Sequence, residues 1–378
     1  MASQQLSYAH GTSETPLIYQ TIGARFDEAA ARWPDREAVV VCDQGVRLTF
    51  AELKREVDRL ATGLLTLGLR PGDRIGIWSP NNIAWILTQY ATAKAGLILV
   101  NINPAYRVAE LEYALNKVEC RALITADRFK TSDYLGMLRE LAPEIDTSTP
   151  GELQAARLPH LQTLIHIDDA DEPGFLSFDE VQRLGGPADY TRLAELAETL
   201  QPDDPINIQF TSGTTGSPKA ATLTHHNILN NAFFQGQRMG IVTEDRFCMP
   251  LPLYHCGGMV NGSLIGMVHG AAVVYPGEGF DALATLRALQ DERCTAIGAV
   301  PTIFIALLNH PEFPRYKVSL RTGWIGGAPC PAEIMRRLIH EMGMRDVTII
   351  YGMTETSPVS TQTSADDTPE QRVLTVGR

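Results

Sequence analysis

Several familiar signals are missing from this sequence. Its six cysteines, Cys42, Cys120, Cys248, Cys256, Cys294 and Cys330, form no Cys-x-x-Cys pair, and its histidines form no cluster at metal-ligand spacing. This leaves no sequence grounds for a structural metal and points to buried thiols in a reducing compartment. No apolar run approaches the roughly 20 residues that cross a bilayer. The opening Met1-Ala2-Ser3-Gln4-Gln5-Leu6-Ser7-Tyr8 lacks the basic segment and apolar core of a secretory leader. The expectation is a cytoplasmic protein with no transmembrane segment and at most peripheral membrane contact. Positive charge is also scarce: 32 Lys and Arg stand against 44 Asp and Glu, for a net charge of -12. Such a surface repels nucleic acid and anionic membrane. An anionic ligand must therefore be held by local donors.

What is present is a globular composition, with 44% hydrophobic and 20% charged residues. At 378 residues the chain is too long for one small core and suggests two or three packed subdomains. Thr49 and Glu52 predict a capping box ahead of a helix whose apolar stripe is Leu53, Val57, Leu60, Leu64 and Leu67, stopped by Gly68. Strand and helix patterns then alternate: Ile75 to Trp78, Ile83 to Ala95, Leu97 to Val100, Val108 to Val118, Ala122 to Thr125. A second series runs from Asn227 to Tyr351 and includes a helix over Met259 to Val268. This alternation predicts the α/β class, with largely parallel sheets flanked by helices. A soft boundary near Gln201-Pro202-Asp203-Asp204 divides the chain into α/β subdomains over 1–202 and 203–378. A ligand would sit in the cleft between them.

The chain is organised around Phe210-Thr211-Ser212-Gly213-Thr214-Thr215-Gly216-Ser217-Pro218-Lys219-Ala220, flanked by Ile206-Asn207-Ile208-Gln209 and Ala221-Thr222-Leu223-Thr224. Hydroxyls, two glycines and one lysine make a loop dense in donors, with little bulk to keep an anion from the backbone N–H groups. A Gly/Ser/Thr stretch alone more often reads as a surface loop. Lys219 and the flanking strands favour a phosphate loop instead. The Walker A pattern fails, because Ser217 and Pro218 separate Gly216 from Lys219 and Ala220 follows it.

Two other motifs fall at strand ends, where ligands of open α/β sheets collect. In Gly326-Gly327-Ala328-Pro329 the absent side chains let a flat base approach the backbone, although the same residues also make a turn before a helix. In Tyr351-Gly352-Met353-Thr354-Glu355, Tyr351 offers a ring face, Thr354 a hydroxyl and Glu355 a hard oxygen for Mg2+; a strand end with a helix cap reads equally well. His255 ends the run Pro250-Leu251-Pro252-Leu253-Tyr254, and Gly257 and Gly258 leave space beside it. Val300, Pro301 and Thr302 read as an apolar wall. His225-His226 reads as a helix start and Arg336-Arg337 as a solvated helix face.

Together these four motifs, in this order, resemble the AMP-forming adenylate family, which includes acyl-CoA synthetases, luciferases and the adenylation domains of peptide synthetases. Ala220 stands where that family most often has Gly. The resemblance implies ATP, Mg2+ and coenzyme A, with a small-molecule carboxylic acid as the other substrate. It implies that Thr211 to Gly216 and Lys219 hold phosphates, that Gly326 to Pro329 line an adenine pocket, and that Tyr351 and Gly352 belong to the adenine side. It assigns Thr354 to phosphate contact, Glu355 to the metal, and His255 to the carboxylate being activated. Gly257, Met259, Val300 and Thr302 fall to the acid's tail; Met259 stands where some long-chain members carry a gating tryptophan.

The closest likeness is to medium- or long-chain fatty acyl-CoA synthetases, with an aryl- or short-chain acid ligase as the near rival. The family's ribose-binding Asp, hinge and C-terminal domain with its lysine lie beyond Arg378. The expectation is therefore a chain impaired in both half-reactions, and a non-catalytic nucleotide- or acyl-binding domain is the alternative from another class.

Overall fold

The computed structural model describes residues 15–168, 171–211 and 218–378. Its elements follow from local signals. The helix Phe50–Thr66 begins with the expected capping box: Thr49 Oγ1 accepts the Glu52 N–H and Glu52 Oε2 accepts the Thr49 N–H. The helix Ile83–Ala95 is apolar on every side, so it can only be internal. Every residue from Ala84 to Ala95 is buried. Among them is Lys94, whose ammonium lies 2.5 Å from both Asp27 Oδ1 and Asp58 Oδ1.

Two mostly parallel sheets flanked by helices form the frame. The first has seven strands in the order Lys219–Thr224, Pro205–Thr211, Ile98–Asn101, Arg74–Trp78, Ala122–Thr125, Thr163–His166 and Leu176–Ser177. Its central strands are covered on both faces. Leu99, Ile75, Ile77, Ala122 and Ile124 enter one core with the helices Phe50–Thr66 and Ile83–Ala95. Val100, Trp78 and Leu123 enter another with Leu111 and Leu138. The second sheet has eight strands: Val359–Gln362, Asp346–Gly352, Thr322–Gly326, Ala296–Ala299, Arg246–Cys248, Ala272–Tyr275, Glu37–Val41 and Val46–Thr49.

A cut at 202 does not separate these sheets. Glu37–Val41 lies parallel to Ala272–Tyr275, with Val39 opposite Val273. Conversely, Pro205–Thr211 joins the first sheet, with Ile208 opposite Val100. The phosphate-loop strands thus belong to the sheet of the earlier half, and the first strand of the chain belongs to the sheet of the later half. The alternation of elements does not specify which sheet a non-local strand joins, and it passes over the strands Val46–Thr49, Leu176–Ser177 and Val359–Gln362. The helix expected over Met259 to Val268 is present in two parts, a π-helical stretch Met259–Leu264 followed by α-helix Ile265–His269. No helix among the described residues is long and apolar enough to cross a membrane.

Candidate active site

The site lies where the carboxyl ends of the two sheets meet. Thr211 ends its strand and sits opposite Lys219 in the antiparallel partner, so the two strands flanking the expected phosphate loop pair with each other as a hairpin. Ser212, Gly213, Thr214, Thr215 and Gly216 lie outside the described residues. Lys219 is exposed at the returning end. There the Pro218 carbonyl accepts the Tyr113 hydroxyl at 3.1 Å, tying the hairpin to the helix Val108–Lys117. From the second sheet, Asp346–Gly352 runs into a 3-10 turn, Thr354–Thr356. Across the junction, Thr211 Oγ1 donates to Glu355 Oε1 at 3.2 Å. This contact joins the phosphate hairpin to the residue expected to hold a metal.

Two cavities adjoin the end of Asp346–Gly352. The smaller, about 260 Å³, lies between the loop carrying His255 and the ends of Thr322–Gly326 and Asp346–Gly352. Leu251, Val300, Trp324 and Ile350 give it apolar walls. Cys256 Sγ and Thr354 Oγ1 are 3.7 Å apart on its polar side. His255 stands at the mouth, tilted against Tyr254 with ring centroids 4.0 Å apart. The ring is reached by solvent, yet the protein packed around it lowers its pKa by desolvation, so it is held neutral at neutral pH. Burial also raises the pKa of the Cys256 thiol, which keeps that sulfur protonated.

The loop carrying His255 is held from the other sheet. Asn81 Nδ2 donates to the Leu251 carbonyl at 3.0 Å, and Asn81 Oδ1 accepts the Leu253 N–H at 2.7 Å. Asn101 Nδ2 donates to the Tyr254 carbonyl at 3.0 Å.

The larger cavity, about 620 Å³, is formed by Gly327–Cys330, Ile349–Gly352 and Val373–Val376. It brings together Gly327, Ala328, Pro329, Tyr351 and Gly352, with Tyr351 60% exposed on its rim. Gly327, Ile350 and Gly352 border both cavities. The glycines of this wall are dictated by packing. A Cβ on Gly352 would lie 1.8 Å from the Pro358 carbonyl oxygen, and Gly327 has φ +79°, a conformation that a side chain disfavours.

Residues 26–378 match the family described as AMP-binding enzyme. The chain belongs to that family. It is 45% identical over 374 residues to medium-chain acyl-CoA ligase ACSF2, mitochondrial, of Danio rerio, an alignment covering 98% of this chain and 62% of the relative. The chain therefore spans about three fifths of the length of such relatives. Among solved structures it resembles the anthranilate CoA ligase AuaEII in complex with anthranoyl-AMP, with a TM-score of 0.81 at 22% identity, covering 97% of this chain and 65% of that one. It also resembles the inhibitor-bound N-terminal domain of FACL13 from Mycobacterium tuberculosis, with a TM-score of 0.77 at 25% identity, covering 95% and 82%.

In this member of the AMP-binding enzyme family, the structure brings His255, Gly257, Val300, Gly326, Gly327, Gly352 and Thr354 to the smaller cavity. It does not bring Met259 or Thr302 there. Thr302 is exposed. Met259 is buried, its sulfur approached by Asn101 Nδ2 at 3.5 Å and Gln209 Nε2 at 3.8 Å. It packs beneath the strand that leads to the phosphate hairpin, so the position expected to gate the tail is internal. Trp324 and Asn261 line the cavity instead and were not anticipated. The available signal for Trp324 was Gly298, its cross-strand neighbour, whose missing side chain makes room for the indole.

Proposed function

We propose that the chain performs ATP-dependent activation of a carboxylic acid, of medium or long chain, with thioesterification to coenzyme A as the second step. The observation that carries this reading is the Thr211–Glu355 hydrogen bond at 3.2 Å, next in the chain to Thr354, which lines the smaller of two cavities that share Gly327, Ile350 and Gly352. The larger cavity offers two glycines and the exposed Tyr351 ring to a flat base, and the smaller has the apolar walls that an acyl tail requires. The name of the Danio rerio relative points to the same chemistry.

In the first step a carboxylate oxygen attacks the α-phosphorus, the bond to the β-phosphate oxygen breaks, and pyrophosphate leaves. In the second, the thiol sulfur attacks the acyl carbon, AMP leaves with the bonding pair, and the thiol proton passes to solvent. Displacement at phosphorus depends on positioning and charge neutralisation more than on covalent help from the protein. Neutral His255 at the mouth orients the carboxylate without binding it as an ion pair. The Thr354 hydroxyl faces the same space and can donate to a phosphate oxygen. Glu355 offers a carboxylate exposed to solvent and already facing the phosphate hairpin, a hard donor suited to Mg2+. A divalent cation bound there would neutralise phosphate charge. Lys219, at the open end of the hairpin, adds a positive charge.

Thermal stabilisation by non-hydrolysable acyl-adenylate mimics tests this reading without requiring turnover. The shift is expected to grow from acetyl to a maximum at a medium or long chain. A benzoyl maximum would replace the tail class, and silence with every mimic and with ATP would sink the reading. Glu355→Ala is expected to lower Mg2+-dependent ATP affinity at least about tenfold, the weight of a charge-assisted contact, with an unchanged melting temperature for the unliganded protein. Unchanged affinity would remove Glu355 from the metal's surroundings.

A further inference from the structure

The walls of the smaller cavity are apolar apart from a few polar groups, and one of these is unpaired. Cys256 and Thr354 face each other. Asn261 is different: it lines the cavity, is 2% exposed, and its side-chain oxygen has no hydrogen-bond partner among the described residues. Its backbone oxygen is already taken by the Trp324 indole N–H at 3.2 Å. That contact fixes the residue in place while leaving the amide free.

Buried polar groups are nearly always paired, because their desolvation is otherwise uncompensated, and an exception calls for an explanation. Gln89 and Gln235 also have unpaired buried amides, but neither borders this cavity. Asn261 further lies within the π-helical stretch Met259–Leu264, a distortion that tends to occur at functional sites. An apolar residue of the same size would complete the wall at no such cost.

We propose that Asn261 is a specificity-determining residue, and that the acid taken by this site carries a hydroxyl remote from its carboxylate. A hydroxyl both donates and accepts, so it can give its hydrogen to Asn261 Oδ1 and receive one from the amide nitrogen. The remote position follows from the fold. His255 stands at the solvent-reached mouth, whereas Asn261 lines the same cavity from the buried π-helical stretch that follows. The inference rests on the acid-activation reading of the same site. Two sources supply this chemistry, a hydroxylated alkyl acid and a hydroxyaryl acid.

The test is calorimetric binding of two matched pairs of sulfamoyl-linked adenylate mimics to the full 378-residue chain: octanoyl with 8-hydroxyoctanoyl, and benzoyl with 4-hydroxybenzoyl. The hydroxylated member of one pair is expected to bind at least about tenfold tighter, since a site built around a hydroxyl penalises its loss. Which pair shows the preference identifies the source. Asn261→Leu is expected to abolish or reverse that preference, and Asn261→Ala to abolish it. Wild-type protein that binds the plain member at least as tightly in both pairs overturns the inference and leaves acid activation standing. A preference that survives in a folded Asn261 variant also overturns it. Wild-type protein that binds none of the four overturns both readings. If neither variant folds, the wild-type pairs still decide.

Discussion

His225 begins the helix His225–Arg238 and is buried, with Nδ1 accepting the Ile22 N–H at 3.1 Å. Nε2 must then carry the proton, and it has no partner among the described residues. Burial draws the pKa down to about 4, from an ordinary 6.5. As pH falls, the unfolded chain takes up this proton before the folded one does. The stabilisation is therefore complete above pH 6.5 and is lost as pH falls towards 4, a change of about 3 kcal/mol in all. His225→Asn keeps an acceptor for the Ile22 N–H but cannot titrate. Urea midpoints at pH 7 and pH 4.5 should differ less in the variant than in the wild type; equal differences would place the acid sensitivity elsewhere.

At the scale of elements, the strands Ala296–Ala299 and Thr322–Gly326 pair with Gly298 opposite Trp324. A Cβ on Gly298 would come within 2.2 Å of the indole nitrogen. Gly298→Ala must therefore push the indole off the Asn261 carbonyl and into the acid cavity. Overpacking of this kind costs about 1–3 kcal/mol. Acyl-adenylate mimics should bind more weakly while AMP, proposed to occupy the larger cavity that Trp324 does not border, keeps its affinity; equal loss for both would mean a general disruption.

The elements themselves were largely legible. The capping box at Thr49 and Glu52, the internal helix Ile83–Ala95 and the strand Ala122–Thr125 stand where pattern places them. Hydroxyls, glycines and acids at strand ends also marked Thr211, the Gly326–Pro329 turn, Thr354 and Glu355, and the structure places Thr211 against Glu355 and Gly326, Gly327 and Thr354 on the smaller cavity. Trp324 and Asn261 were not so marked. A tryptophan within an apolar strand reads as core, and one asparagine in a helical run reads as incidental. Only the fold reveals that both face the same space. Met259, placed at the acid's tail by the family resemblance, lies instead buried at the start of a π-helical stretch and off that cavity.

Over the whole molecule the two sheets exchange strands, so each depends on chain from both sides of residue 202. Expressed singly, the fragments 1–202 and 203–378 are each expected to be unfolded or aggregated, because 1–202 lacks the Pro205–Thr211 hairpin and 203–378 lacks the strands Glu37–Val41 and Val46–Thr49. Mixed together they should recover cooperative melting. A sharp thermal transition in either fragment alone would show that a half is self-sufficient.

The same exchange has a consequence for synthesis. Glu37–Val41 leaves the ribosome early, and its partner Ala272–Tyr275 follows only after roughly ten to fifty seconds at ordinary translation rates. Val46–Thr49 can pair with one side of this strand at once, but throughout that wait the other side of Ala38-Val39-Val40-Val41, buried in the finished protein, is an open edge of strand-forming residues of the kind that seeds aggregation. The nascent chain, more than the finished protein, is where this fold is exposed to misassembly.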